Sequence, residues 1–397
     1  LKNTGSESRN LKFNFSAYSD LRPTWLGERT NMVDSPDRAV YHGDHDYWII
    51  NDSINPWSAV FKADRKSDYH QNVPKKYRGI GTGTLLGYDL SIEPGESEMI
   101  NLKSEITYKK EKYKQIAQNS KLTIPDKNIQ QTFEWLKYNC EWLVQTVPEI
   151  GTGITAGIPD YSWWFGVDSE YALRGYMAVG QTEAVDKTIK LLDSVSMAIN
   201  SNGRIIHELS TNGAVFNNGN INETPQFASL IWEIYKWNGN HSFLNKYFPT
   251  IKKGLNWLMN ENDANKNLFP DGFGMMEIHG LDSEMIDVAS YTQKGFEDAS
   301  LIAKVLNQDA LSEDYKRISE SLKRKINSDF WSEEFQSFAD FIGTDSQALR
   351  LIDDAIVRAD TLNKPWSVSE LKKTKVYIQN NPSAEPRPFV LHHNWVV

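Results

Sequence analysis

The sequence predicts a mainly α fold, in which helical hairpins form an (α/α) toroid preceded by an antiparallel β-sandwich. Three observations predict it. The first hundred residues run as short β-rich segments broken by Gly, Pro, Asn and Asp. After Pro125 the apolar spacing switches to a helical period. The helical segments are then joined alternately by terse loops and by long ones.

In the sandwich region, assigned to residues 1–105, "DYWIIND", "WSAVFKA" and "GTLLGYDLSIEPGES" read as strands, the last entering a turn centred on Pro94 and Gly95. Residues 106–124 read as a linker, and 125–397 as a partial toroid. There a first helix spans about 126–146, capped by Asp126, with Phe133, Leu136, Cys140 and Leu143 on one stripe. A second ends at Gly180, and a third starts near Thr182 with Val185, Ile189, Leu192 and Ile199 on one face. A fourth carries Phe227, Leu230, Ile231 and Ile234, and a fifth Phe248, Ile251, Leu255 and Leu258. The sixth runs from about Met285 to Leu306, the seventh from Ser312 to about Asn327, and a weaker one covers Val368–Gln379. Similar short loops would mark a solenoid. The long loops 148–167, 200–223 and 263–283, rich in Trp, Gly and carboxylates, favour a toroid with a binding site on one side.

Composition narrows the function. The 397 residues exceed the size at which one core stops growing, so two domains are expected. Lys and Arg number 43 against 52 Asp and Glu, a net charge of -9, which argues against a nucleic-acid partner. Aromatic residues make up 12% of the chain, with 13 Trp, and rings beside carboxylates are the physical complement of a sugar. Cys140 is the single cysteine, the histidines are scattered and no HExxH spacing occurs, so no metal or other cofactor is expected. No stretch reaches the length of a membrane span, and a cytoplasmic location is expected unless a leader precedes Leu1.

The long loops carry the candidate chemistry. In the first, Trp163, Trp164 and Phe165 precede Asp168 and Glu170 at a helix start. The plain reading is core aromatics with an N-cap; the functional one is a stacking platform with Asp168 accepting hydrogen bonds from two sugar hydroxyls. In the second, His207 and Glu208 read either as a solvated pair or as site residues, and Glu223 either as a helix cap or as a ligand. In the third, Asp271, Glu277, Asp282, Glu284 and Asp287 stand among Phe and Met. A carboxyl beside apolar neighbours has the raised pKa that a general acid needs, and Glu277, after Met275 and Met276, is the candidate.

With these segments in view, the chain resembles the amylo-alpha-1,6-glucosidase domain of glycogen-debranching enzymes and their bacterial relatives, of the six-hairpin clan that includes glucoamylases. "PDYSWWFGVDSEYALRGYMAVG" is similar to the family's W-F-G-R-D-T segment, which places its sugar-binding Asp at Asp168; the family's Arg is Val167 here. "DGFGMMEIHGLDSEMIDVASY" is similar to G-x-x-W-M-D, which places the proton donor at Glu277, with Met276 at the Met and Met275 at the Trp. The likeness runs from about Leu90 to Val397. It implies an inverting glycoside hydrolase on an (α/α)6 toroid, acting on α-glucosidic or related linkages of oligo- or polysaccharides. Such a toroid has twelve helices, more than the seven or eight read here, and the resemblance puts the general base beyond Val397; with Leu1 where a Met would start and Val397 inside a strand-like segment, truncation at both ends is expected. The missing Arg keeps mannosyl or rhamnosyl linkages open, and a non-catalytic carbohydrate-binding toroid is the reading from another class. The site set is Glu277 as catalytic acid, with Trp163, Trp164, Phe165, Asp168, Glu170, His207, Glu208, Glu223, Glu284 and Asp287 binding substrate.

Overall fold

The computed structural model describes residues 1–22, 33–55, 58–74, 79–101, 105–158, 161–272, 274 and 282–391, with only the backbone of 105–111. Among these the protein is mainly α, with ten helices and several small antiparallel sheets. It divides into two compact units, one comprising Leu1–Glu141, the other Trp142–Ile158 and the chain from Ser162 on.

The first unit opens with six strands, β1 (Arg9–Ser19), β2 (Asp37–His42), β3 (Tyr47–Asp52), β4 (Ser58–Lys62), β5 (Tyr69–Val73) and β6 (Thr82–Ile92). They form two three-stranded antiparallel sheets, ordered β1-β6-β5 and β2-β3-β4. Alternation sets what is buried: Leu86, Tyr88, Leu90 and Ile92 of β6 point one way and cluster with Trp48 of β3. The Trp48 indole N–H donates to the Leu85 carbonyl at 3.2 Å, tying the two sheets together. After β6 the chain turns through Pro94 and Gly95; Gly95 has φ +80°, and the Glu96 amide donates to the Glu93 carbonyl at 3.0 Å, a type II turn.

The linker predicted at 106–124 is instead largely helical: α1 spans Glu105–Asn119. Helix α2 (Lys127–Trp142) follows, with Asp126 accepting from the Asn128 and Ile129 amides at 2.9 and 3.2 Å as its cap. The stripe predicted for it does not bury: Leu136 is exposed, and the buried residue is Lys137. The reason lies at the end of α1, whose orphan carbonyls need donors. The Lys137 ammonium donates to the Ile116 and Ala117 carbonyls at 3.2 and 3.4 Å and also to Ser120.

The second unit is built from helical hairpins. Helix α3 (Gly166–Ala178) pairs with α4 (Thr182–Ile199), α5 (Glu223–Asn238) with α6 (His241–Glu261), α7 (Ile286–Val305) with α8 (Asp309–Asp329), and α9 (Asp345–Thr361) with α10 (Pro365–Asn380). Helix α9 has no counterpart in the sequence reading, although its capping box is complete: Thr344 accepts from the Gln347 amide, and the Gln347 side chain accepts from the Thr344 amide. Helices α3, α5 and α7 pack in a row and are covered by neighbours. Every residue of α5 from Glu223 to Ile231 is buried, whereas α8 buries only Ser312, Tyr315, Ser319 and Leu322, a single stripe. The row is tight enough that a Cβ on Gly295 of α7 would meet the Pro225 carbonyl oxygen of α5 at 2.7 Å.

Short strands join the hairpins. Strand β9 (Trp164–Phe165) leads into α3 and pairs with β10 (Glu208–Leu209), itself paired to β11 (Val215–Asn217). Strands β7 (Val144–Val147) and β8 (Gly151–Ile154) form a hairpin before β9, and β12 (Glu284–Met285) leads into α7.

Candidate functional site

The entrances of α3 and α5 come together at a cleft of about 650 Å³. The register of β9 on β10 does this. Phe165 faces Glu208, and the Gly166 amide donates to the His207 carbonyl at 2.8 Å, so the start of α3 is fixed to the loop that carries His207. Gly166 is required there: a Cβ would stand 2.3 Å from the Ile206 carbonyl oxygen and 3.1 Å from Glu223 Cγ.

Asp168, Ser169, Tyr171 and Tyr176 line one side of the cleft, His207, Asn220, Asn222 and Glu223 another, and Gly274 belongs to its wall. Asp168 lies in the first turn of α3, whose N-cap is Phe165, so it is not the cap but a solvent-facing carboxyl on the cleft wall. Glu223 opens α5 and has no exposed surface. His207 Nδ1 lies 2.6 Å from its Oε1, and the Asn220 amide donates to the same oxygen at 3.3 Å. His207 Nε2 lies 3.8 Å from Glu208 Oε1. Burial alone would lower the histidine pKa, but the hydrogen bond and charge of Glu223, followed by Glu208 and Asp168, carry it above the usual value. Glu223 Oε2 and both polar atoms of the Asn222 side chain are buried without a hydrogen-bond partner. A polar ligand in the cleft is what such groups need.

Glu170 goes elsewhere. It is 1% exposed, and neither carboxyl oxygen has a hydrogen-bond partner. Burial first, and the charge of Glu223 second, raise its pKa well above the ordinary value, with Arg174 only partly opposing. It lies beneath the site and is not on the cleft wall.

The aromatic platform expected of Trp163, Trp164 and Phe165 is corrected. Trp163 is 1% exposed and stacks on Phe216 of β11 with ring centroids 4.4 Å apart, and Trp164 is wholly buried with Leu191, Leu192, Ile206 and Leu209. Alternation along β9 sends Trp164 and Phe165 to opposite sides of the strand, both buried, and Trp163 just before it is buried against β11. Phe165 is buried and meets His207 edge-on at 5.8 Å, so it supports the site without lining it.

Glu284 is also corrected. It lies on β12 away from the cleft wall, bridged to Asp271, and its Oε1 accepts from the Asn265 and Asn267 amides at 2.8 and 2.6 Å. Asp263 holds the same loop by accepting from the Asn267 and Leu268 amides, each at 3.0 Å. Burial, then Glu284, Asp282 and Asp263, push the Asp271 pKa to about 6. Asp287, in the first turn of α7, faces the cleft indirectly: a Cβ on Gly274 would meet its Oδ2 at 2.4 Å. Glu277, with Met275 and Met276, lies outside the described residues.

The sequence reading missed Tyr171, Tyr176, Asn220 and Asn222. Tyr171 was accessible to it, since it stands one helical turn after Asp168. Among the described residues no group of three or more His, Cys, Asp or Glu is placed to hold a metal, and no helix is long and apolar enough to cross a membrane.

No protein-family model and no curated protein matches the chain. Solved structures similar to it include the GH78 family rhamnosidase of Bacillus sp. GL1, at 13% identity and a TM-score of 0.48 over 87% of this chain and 34% of that one. A rhamnosidase from Klebsiella oxytoca with rhamnose bound is similar at 10% identity and a TM-score of 0.46, over 100% of this chain and 75% of that one. A bacterial glucoamylase complexed with acarbose is similar at 9% identity and a TM-score of 0.43, over 75% of this chain and 48% of that one. This chain thus spans about a third of the first rhamnosidase and about half of the glucoamylase.

Proposed function

We propose that the cleft between the entrances of α3 and α5 binds the terminal sugar of an oligo- or polysaccharide, and that the protein belongs to a glycoside hydrolase. The observation that carries this is the cleft itself. An exposed Asp168 stands opposite a buried His207–Glu223 pair, with unpartnered Asn222 and Glu223 atoms beside it. Alternating carboxylate, amide and imidazole groups suit a ring rimmed with hydroxyls, each of which both donates and accepts. Asp168 takes hydrogen bonds from two adjacent hydroxyls, and Asn222 and Glu223 address the rest.

The acid is assigned to Glu277 on the resemblance of its segment, and Gly274, three residues earlier in the chain, lines the cleft. Its role is to protonate the departing glycosidic oxygen, while a water attacks the anomeric carbon under a second carboxylate about 6.5–9.5 Å away, the spacing of an inverting pair. Val167 in place of an Arg leaves the sugar open among glucosyl, mannosyl and rhamnosyl residues.

The test is calorimetric binding of α-glucosides, α-mannosides and α-rhamnosides to the wild type, Asp168→Asn and Glu277→Gln, with hydrolysis of the same substrates assayed on a full-length form that carries the general base. Asp168→Asn is expected to weaken binding about 10- to 100-fold, the worth of a charge-assisted hydrogen bond. Glu277→Gln is expected to retain binding and lose hydrolysis. Unaltered affinity in Asp168→Asn would remove the cleft from the account, and undiminished hydrolysis in Glu277→Gln would remove the acid.

A further inference from the structure

Outside the groups already assigned, one aromatic side chain among the described residues stands open on the cleft wall. Tyr171 lines the cleft one helical turn beyond Asp168 and remains 43% exposed. An aromatic ring on the wall of a cleft lined by convergent polar groups stands where a ligand would meet it. The ring is also fixed in place. Its hydroxyl donates to the hydroxyl of Tyr291 on α7 at 2.8 Å, and the two rings meet near edge-on at 70° with centroids 6.5 Å apart. The Arg174 guanidinium lies over the Tyr171 ring, 5.3 Å from its centroid. A ring tethered at its hydroxyl and backed on one face loses little freedom when a ligand stacks on it, so more of the contact energy appears as affinity.

Residues three apart on a helix have Cβ atoms about 5–6 Å apart, roughly the length of one pyranose ring. A sugar held by Asp168 therefore has its neighbour within reach of Tyr171. We infer that Tyr171, tethered by Tyr291 and backed by Arg174, is the stacking platform for a second sugar residue, so that the cleft takes an oligosaccharide in preference to a monosaccharide. This inference rests on the sugar-binding reading above. It also supplies the platform that Trp163 and Trp164, both buried, do not. The hydroxyl-to-hydroxyl bond crosses from α3 to α7, so the platform is positioned by the same helix row that builds the cleft.

The experiment titrates glucose and maltotriose, mannose and α-mannotriose, and rhamnose and an α-rhamnosyl trisaccharide into wild type, Tyr171→Ala, Tyr171→Phe, Tyr291→Phe and Asp168→Asn. The wild type is expected to bind one trisaccharide about tenfold or more tighter than its monosaccharide, the worth of one aromatic contact. Tyr171→Ala is expected to weaken trisaccharide binding far more than monosaccharide binding, so that the ratio falls toward one. Tyr171→Phe and Tyr291→Phe each keep the Tyr171 ring but remove the bond between the two hydroxyls, and both are expected to fall between the wild type and Tyr171→Ala. A Tyr171→Ala protein with an unchanged melting temperature and the wild-type ratio overturns this inference alone, provided Asp168→Asn still loses binding. A wild type that binds none of the three trisaccharides overturns the sugar-binding reading and this inference together.

Discussion

Replacing Glu170 by Gln is predicted to leave the protein about as stable in mild acid and to make it progressively more stable than the wild type as the pH rises. Glu170 is 1% exposed and its carboxyl oxygens have no hydrogen-bond partner, so the isosteric amide forfeits no bond. Burial and the charge of Glu223 hold the carboxyl pKa well above its ordinary 4.5. The folded protein therefore keeps a proton at this site that the unfolded chain has released. Stability that depends on this proton is whole below the unfolded value and declines as pH rises toward the folded one. One proton corresponds to about 1.4 kcal/mol per pH unit, so two units of pH across neutrality cost the wild type at most about 2.7 kcal/mol relative to the variant. Other titrating groups cancel in that difference. The assay is urea unfolding followed by Trp fluorescence, with both proteins at a series of pH values. Infrared spectroscopy at neutral pH should show a protonated-carboxyl band that the variant lacks. A stability difference flat with pH, or one in which the wild type gains as pH rises, would refute the assignment of a protonated Glu170.

Two further outcomes follow from the packing around the same cleft. His207→Ala strands the buried Glu223 without the imidazole 2.6 Å away, and is expected to cost about 3–5 kcal/mol, part of it recovered in a double variant with Glu223→Gln. Because the His207 pKa is raised in the fold, the contribution of that pair is complete below the unfolded value of 6.5 and fades as pH rises through the folded value, which denaturation at a series of pH values would show. Gly166→Ala places a methyl 2.3 Å from the Ile206 carbonyl, a backbone atom that cannot move aside, and is expected to cost about 1–3 kcal/mol in thermal unfolding and to weaken binding at Asp168. A variant as stable as the wild type would mean that the β9–β10 junction yields more easily than its geometry implies.

The helical hairpins were legible because amphipathic stripes, Gly180 and the Asn238–Asn240 turn leave a plain period in the chain. Helix α9 was legible too, through Thr344 and Gln347, and was passed over beside long loops. Helix α1 was not, because its neighbour buries a lysine among carbonyls where a stripe of apolar residues would be expected. The site was legible in part. Loops that carry Asp168, His207 and Glu223 meet at one cleft, but which of their neighbours face it depends on strand register, which a row of letters does not display. Trp163 and Trp164 looked like a sugar platform because tandem indoles beside a carboxylate have the right chemistry; both are buried instead, Trp163 against Phe216 and Trp164 in the apolar cluster with Leu191 and Leu192.

The separation of Asp168 from Glu170 shows what the helix itself decides. At about 100° per residue, two positions differ by about 200°, so two carboxyls that read as one acidic pair must point to opposite sides of α3. One therefore meets solvent in the cleft, and the other meets core, where burial and the charge of Glu223 raise its pKa. Three positions differ by about 300°, which returns Tyr171 to the side of Asp168 and makes it a cleft residue. Arg174, three beyond Tyr171 and four beyond Glu170, lies within reach of both, over the ring and near the buried carboxyl. One helical turn thus places an exposed carboxyl, an open ring and a buried acid of raised pKa. Moving any of the three by one position would exchange their environments and with them their chemistry.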